Sequence, residues 1–262
     1  DAATIVVVAT TSEPDAVFPP FALNMEARQA TELMYEYLAD VGPAMNTIGD
    51  KGFVKEIASD WKWSDDSLSI AYSINPSARW QDGVQLTSRD VRFSYELYGD
   101  SKVGWNDLSS LSEIDSVTAP DSSTAVFWFA KRTPHQFADA ASTMLILPAH
   151  LLERIPRDSL RAVTALMTPV GSGRYRAGTW NKGTSFELDA VKEHYRGTAN
   201  IARIIWSVTP EYQSAGTRLL GGAADVMTNI RQETVPQLST GGKFNLVTLP
   251  GMDYVFLQFN LL

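Results

Sequence analysis

The amino-acid sequence predicts a mixed α/β fold, because three stretches carry different hydrophobic periods. Thr4 to Ala9 is a continuous apolar, β-branched run suited to a buried strand. Glu26 to Asp40 sets Ala27, Ala30, Leu33, Met34, Tyr37 and Leu38 on one stripe at helical spacing, which predicts a helix over the whole segment. Leu68 to Tyr98 contains both periods. Leu68, Ile70, Tyr72 and Ile74 alternate as in a half-buried strand, and Val91, Ser94, Tyr95 and Tyr98 share one helix face. Between them Asn75-Pro76 ends the strand, Asp82-Gly83 makes a tight turn, and Thr87 stands ahead of Asp90 as an N-cap pair.

The remaining elements follow in order. Pro14, Pro19 and Pro20 forbid regular structure in the loop after the first strand. Asp65-Asp66 reads as a turn into the Leu68 strand, and Gly99 to Leu111 as a loop carrying Trp105 and Asn106. Ile114 to Ala119 and Ala125 to Phe129 predict a hairpin turning at Pro120-Asp121, and Pro134 to Ala141 a short helix. Phe186, Leu188 and Ala190 alternate as a strand, and Arg203 to Thr209 is another. Pro210 opens a helix that Gly221-Gly222 closes, followed by a short strand at Ala224 to Met227. Phe244 to Leu249 and Val255 to Phe259 are two further expected strands.

Composition narrows the function classes. A formal net charge of -8 argues against nucleic-acid binding, which rests on basic patches facing phosphates. With no cysteine, a disulfide scaffold, a thiolate metal site and a cysteine nucleophile are excluded. No apolar run approaches the ~20 residues that span a bilayer. His135, His150 and His194 are scattered, none at metal-ligand spacing with another. A G-x-S-x-G elbow is absent. Gly171-Ser172-Gly173 lacks the third glycine and the Lys-Ser/Thr of a phosphate loop. The glycines are expected there for backbone angles that other residues avoid. No catalytic residue, metal site or cofactor is expected, and the protein is read as not an enzyme.

The run Trp80, Asp82, Gly83, Thr87, Asp90, Val91, Phe93, Ser94 and Tyr95 resembles the signature block of the family 5 extracellular solute-binding proteins, the peptide, dipeptide and nickel receptors of ABC importers. Gln81 replaces the histidine usual there, and Ser88-Arg89 replaces Ala-Glu. Further segments are similar to the family along nearly the whole chain: the helix after Glu26, Leu147 to Leu151, Thr168 to Tyr175, His194 to Gly197, Ala224 to Met227 and Tyr254 to Asn260. Ser172 and Arg174 depart from the family's crossing segment.

The resemblance implies a periplasmic binding protein-like class II fold. This chain would supply the first lobe, a mixed sheet plus a smaller inserted β-rich subdomain. The implied division is a main α/β domain of residues 1–50 and 168–262, an inserted domain of residues 51–167, and a second lobe absent from the chain. The implied function is the substrate-binding component of an ABC importer, closing two lobes on a peptide and delivering it to the transmembrane permease subunits. An oligosaccharide or nickel-chelate receptor of the same fold is the alternative, and a hydrolase is less favoured. The implied location is periplasmic or extracellular, free or lipid-anchored, and the protein is expected to be a monomer. By matched position, Glu13, Phe18, Trp105, Asn229, Asp253 and Tyr254 are the expected cleft-facing residues, with Glu13 and Asp253 placed to meet a ligand amine.

Overall fold

A computed structural model of the protein describes residues 4–240 and 242–247. The chain runs β1 (Ile5–Thr10), α1 (Met25–Met34), β2 (Ala39–Asp40), β3 (Val54–Lys55), β4 (Ala58–Trp63), β5 (Ser69–Ile74) and α2 (Ser88–Tyr98). It continues through β6 (Ile114–Asp121), β7 (Thr124–Phe129), α3 (Gln136–Ala141), α4 (Ala149–Leu152) and α5 (Leu160–Thr164). Then come β8 (Tyr175–Asn181), β9 (Ser185–Ala190), β10 (Arg203–Val208), α6 (Tyr212–Leu220), β11 (Val226–Met227) and α7 (Val235–Ser239).

Two main sheets result. The first has the order β11-β1-β10-β9-β8; β1 is parallel to both its neighbours and the β10-β9-β8 edge is antiparallel, so the sheet is mixed. The second, β4-β5-β7-β6, is wholly antiparallel. β2 and β3 form a separate two-stranded ribbon. One apolar core runs from Val8, Phe186 and Trp206 on the first sheet, through Phe18, Met34 and Tyr35, to Ile70, Tyr72 and Phe127 on the second. Each large apolar side chain buried there contributes about 1.5–3 kcal/mol.

Several local expectations hold. In the box that opens α2, the Asp90 carboxylate accepts from the Thr87 backbone N–H at 2.8 Å, and its other oxygen accepts from Ala149 N at 3.0 Å, so the cap also anchors α4. Gly83 turns with φ +88, and Gly222, just past α6, with φ +77.

Others are corrected. The helix expected over Glu26 to Asp40 stops at Met34, and Tyr35 is already extended (φ -121, ψ 167). The next backbone groups find tertiary partners: Glu36 O accepts from Ile146 N at 3.0 Å, Leu38 N donates to Ala141 O at 3.1 Å, and Tyr37 O accepts from Ile57 N at 3.1 Å. A repeating apolar stripe cannot reveal that such partners outcompete the helix. The hairpin turns at Ser122-Ser123 rather than Pro120-Asp121, because an irregularity in the β6–β7 register between Thr118 and Asp121 accommodates the proline. The helix expected from Pro210 begins at Tyr212, with Glu211 as N-cap. Residues 244–247 carry no strand, and the strand expected at Val255 to Phe259 lies outside the described residues.

The glycines of the crossing segment are also corrected. Neither has a positive φ. They are required by close approach: a Cβ on Gly171 would sit 1.8 Å from the Met34 carbonyl oxygen, and one on Gly173 would sit 2.4 Å from Leu33 O. Gly173 N instead donates to Met34 O at 2.8 Å. Gln81 fastens the same segment. Its backbone N donates to Gly171 O at 2.9 Å, its Oε1 accepts from Gly171 N at 3.2 Å, and its Nε2 reaches Tyr175 O at 2.7 Å and Gly173 O at 3.1 Å. Gly171→Ala is therefore expected to lower unfolding stability by about 1–3 kcal/mol or more in urea melts. Gly216→Ala, inside α6 with nothing near the added methyl, is expected to raise it by about 0.4–1 kcal/mol.

Candidate functional site

Four of the expected site residues lie within the described chain, and all four flank α1 or the loop leading into it. Asn24 caps α1, its Oδ1 accepting from Ala27 N at 2.9 Å while its Nδ2 donates to the Glu13 carbonyl at 2.7 Å. The Glu13 carboxylate turns away toward the β8–β9 hairpin, where Oε2 accepts from Trp180 Nε1 at 2.8 Å and Gly183 N at 3.0 Å. The Gly183 N–H, and then the Trp180 indole, hold this carboxyl below its usual range. Lys182 lies 3.0 Å from the centre of the Trp180 ring. One oxygen of Glu13 is thus committed to fixing the loop. Thr10 Oγ1 donates to the buried Glu26 carboxylate at 2.6 Å, which fixes the start of α1 to the end of β1.

Phe18 is buried, 6% exposed, and packs on Phe21 with ring centres 5.6 Å apart. Asn229 is exposed, takes a left-handed φ of +56, and directs Nδ2 to the Met25 sulfur at 3.2 Å. Trp105 is half-buried and meets Tyr98 edge to face at 4.6 Å. It borders a pocket of about 130 Å³ whose wall includes Arg28, Glu32, Tyr37 and Asp107. The helical stripe marked Tyr37 as core, and nothing local in the sequence singled out Arg28 or Glu32. Asp253 and Tyr254 lie outside the described residues.

Behind α1 sits a buried charged cluster that the sequence did not signal. Arg196 donates from Nε to Glu36 Oε1 at 2.7 Å and from Nη2 to Glu56 Oε1 at 2.7 Å. Tyr195 OH donates to Glu36 Oε2 at 2.7 Å, and Tyr37 N donates to Glu56 Oε2 at 2.8 Å. His194 Nε2 donates to Ser172 O at 2.8 Å. The groups join the strand-like exit of α1, the start of the second sheet and the segment after β9. Two carboxylates share one guanidinium, and the balance shows at Glu56 and Arg196. Burial raises Glu56 to about 7, with Arg196 opposing and Glu36 reinforcing the shift. Burial disfavours the Arg196 charge, but the two carboxylates outweigh it and its pKa is raised.

Between pH 4.5, the ordinary value for such a carboxyl, and about 7, the folded protein holds a proton on Glu56 that the unfolded chain releases. The Glu56 contribution to stability is therefore complete below pH 4.5 and is lost as the pH rises through about 7. In thermal melts across that window, Glu56→Gln is expected to gain stability relative to the parent as pH rises. A parent–variant difference constant with pH contradicts this assignment.

The sequence profile of the bacterial extracellular solute-binding proteins, family 5 (middle region), matches residues 52–262. The chain is 24% identical over 261 residues to the "Probable D,D-dipeptide-binding periplasmic protein DdpA" of Escherichia coli (strain K12), covering 98% of this chain and 49% of that protein. It is 23% identical over 259 residues to the oligopeptide-binding protein AppA of Bacillus subtilis (strain 168), covering 97% of this chain and 46% of AppA. The solved structure of AppA in complex with a nonapeptide superposes with a TM-score of 0.79 at 21% identity, over 89% of this chain and 45% of AppA, a likeness of fold. The chain spans about half the length of these curated relatives. With the profile covering most of its residues and the mixed-sheet architecture shared, the chain belongs to the bacterial extracellular solute-binding proteins of family 5.

Proposed function

We propose that the protein is the substrate-binding component of an ABC importer, taking up a peptide and handing it to the transmembrane permease subunits. The observation that carries this reading is the family membership combined with relatives named for dipeptide and oligopeptide binding. The chain contributes one jaw of the clamp, and the solute is desolvated only when a second lobe closes over it. Residues 1–50 and 168–262 make the main domain of this jaw, and residues 51–167 the smaller inserted one. The protein works outside the cytoplasmic membrane, as a monomer, and carries out no reaction on its solute.

The solute-facing set is Trp105 and Asn229 on the surface around α1, with Asp253 and Tyr254 from the end of the chain. Glu13 and Phe18 hold the loop that shapes this surface, Glu13 through Trp180 and Gly183, and Phe18 through Phe21. An extended peptide would be gripped chiefly through its backbone, with side chains entering pockets such as the one beside Trp105.

Thermal-shift screening of the full-length protein against peptide pools tests the reading. A bound peptide at about 100 times its Kd stabilises the folded state by about 2.7 kcal/mol, seen as a shift of several degrees, and mass spectrometry is expected to recover it intact. No shift with any peptide pool, alongside a shift with an oligosaccharide or a nickel chelate, would replace the peptide reading. Cleavage of the peptide would overturn the assignment as a receptor.

A further inference from the structure

The pocket beside Trp105 has an unbalanced charge. Its polar wall holds two carboxylates, Glu32 and Asp107, and one guanidinium, Arg28. Arg28 reaches Asp107 at 3.4 Å. Among the described residues no cation stands within ion-pairing distance of Glu32, whose side-chain contact is the Tyr37 hydroxyl at 3.3 Å. The Glu32 residue is exposed. Even so, crowding by the surrounding protein is the largest influence on its carboxyl and Asp40 adds like charge, so its pKa is raised despite Tyr37 and Arg28. A carboxyl in that position is stabilised by any cation that enters.

The apolar wall suits the same guest. Tyr98 is locked by its hydroxyl, which donates to Leu145 O at 3.1 Å, and Trp105 leans on it edge to face. The aromatic lining of Trp105, Tyr98 and Tyr37 offers π surface to a cation and apolar surface to its methylene stem. A pocket of about 130 Å³ has room for one ammonium or guanidinium head with part of its stem. An anion would meet Arg28, but that guanidinium already faces Asp107, and Glu32 and Asp40 would repel the newcomer.

We propose that this pocket receives a basic side chain of the bound peptide, lysine or arginine, between the Glu32 carboxylate and the Trp105 ring. The inference rests on the peptide reading given above and adds a specificity to it. A charge-assisted bond is the stronger kind, so discrimination of up to about tenfold against a neutral isostere is expected.

The test uses the full-length protein and isothermal titration. The probes are alanine-based tripeptides and pentapeptides carrying one lysine, one norleucine or one glutamate at each position in turn. At one position lysine is expected to bind about tenfold more tightly than norleucine, and glutamate more weakly than either. In Glu32→Gln the lysine-to-norleucine ratio is expected to collapse toward one, and Trp105→Leu to reduce it. A ratio near one at every position in the parent overturns the inference and leaves the peptide reading standing. So does a ratio that survives in a folded Glu32→Gln. Absence of binding by any peptide overturns both. If Glu32→Gln does not fold, the lysine, norleucine and glutamate series on the parent protein decides alone.

Discussion

The carbonyl group of Met34 is where the architecture is joined. It ends α1, accepts from Gly173, and lies so close to Gly171 that only hydrogen fits between them. Gln81 grips the same segment through its backbone and both atoms of its side-chain amide. The helix end, the crossing segment and the signature turn are thereby tied at one point, and each brings a different part of the fold with it. α1 follows β1 of the first sheet, the crossing segment feeds β8 at the far edge of that sheet, and the signature turn links β5 of the second sheet to α2.

The features of the candidate site depend on that junction. Because α1 stops at Met34, residues 36–38 are free of the helix and hand their backbone groups to residues 57, 141 and 146. That path carries Glu36 inward to Arg196 and leaves Tyr37 facing Glu32. At the other end, Asn24 and Glu26 fix α1 to the Glu13 loop and to β1. The helix is held at both ends, so the backbone positions of Arg28 and Glu32 are set relative to Trp105. Rigid support of this kind is what a binding surface requires if its selectivity is to come from placed charges rather than from adaptation.

The sequence made some of this legible and not the rest. The Thr87–Asp90 cap, the Gly83 turn, the Gly221-Gly222 stop and β1 were readable because each depends on residues close in the chain. The signature block was readable because Trp80 to Tyr95 is long enough to be specific. The end of α1 was not, because its apolar stripe continues through Leu38 and only contacts with residues 57 to 173 show that the helix has to stop. The glycines at 171 and 173 stand out in the sequence, but their cause does not. A local reading assigns glycine to unusual dihedral angles, whereas here the constraint is a carbonyl more than 130 positions earlier in the chain. The Glu36–Glu56–Arg196 cluster and the Glu32 pocket were invisible for the same cause. Their members are scattered through the sequence and carry no spacing that marks them as partners.

Whether the Met34 junction holds the two sheets as one rigid body is tested by amide hydrogen exchange on the full-length protein, with and without solute. With a rigid junction, the amides of Gln81, Gly171 and Gly173 exchange only through global unfolding and are equally protected in both states. Fast exchange at these amides, or protection that changes when solute binds, would show that the junction opens during function and would contradict the account.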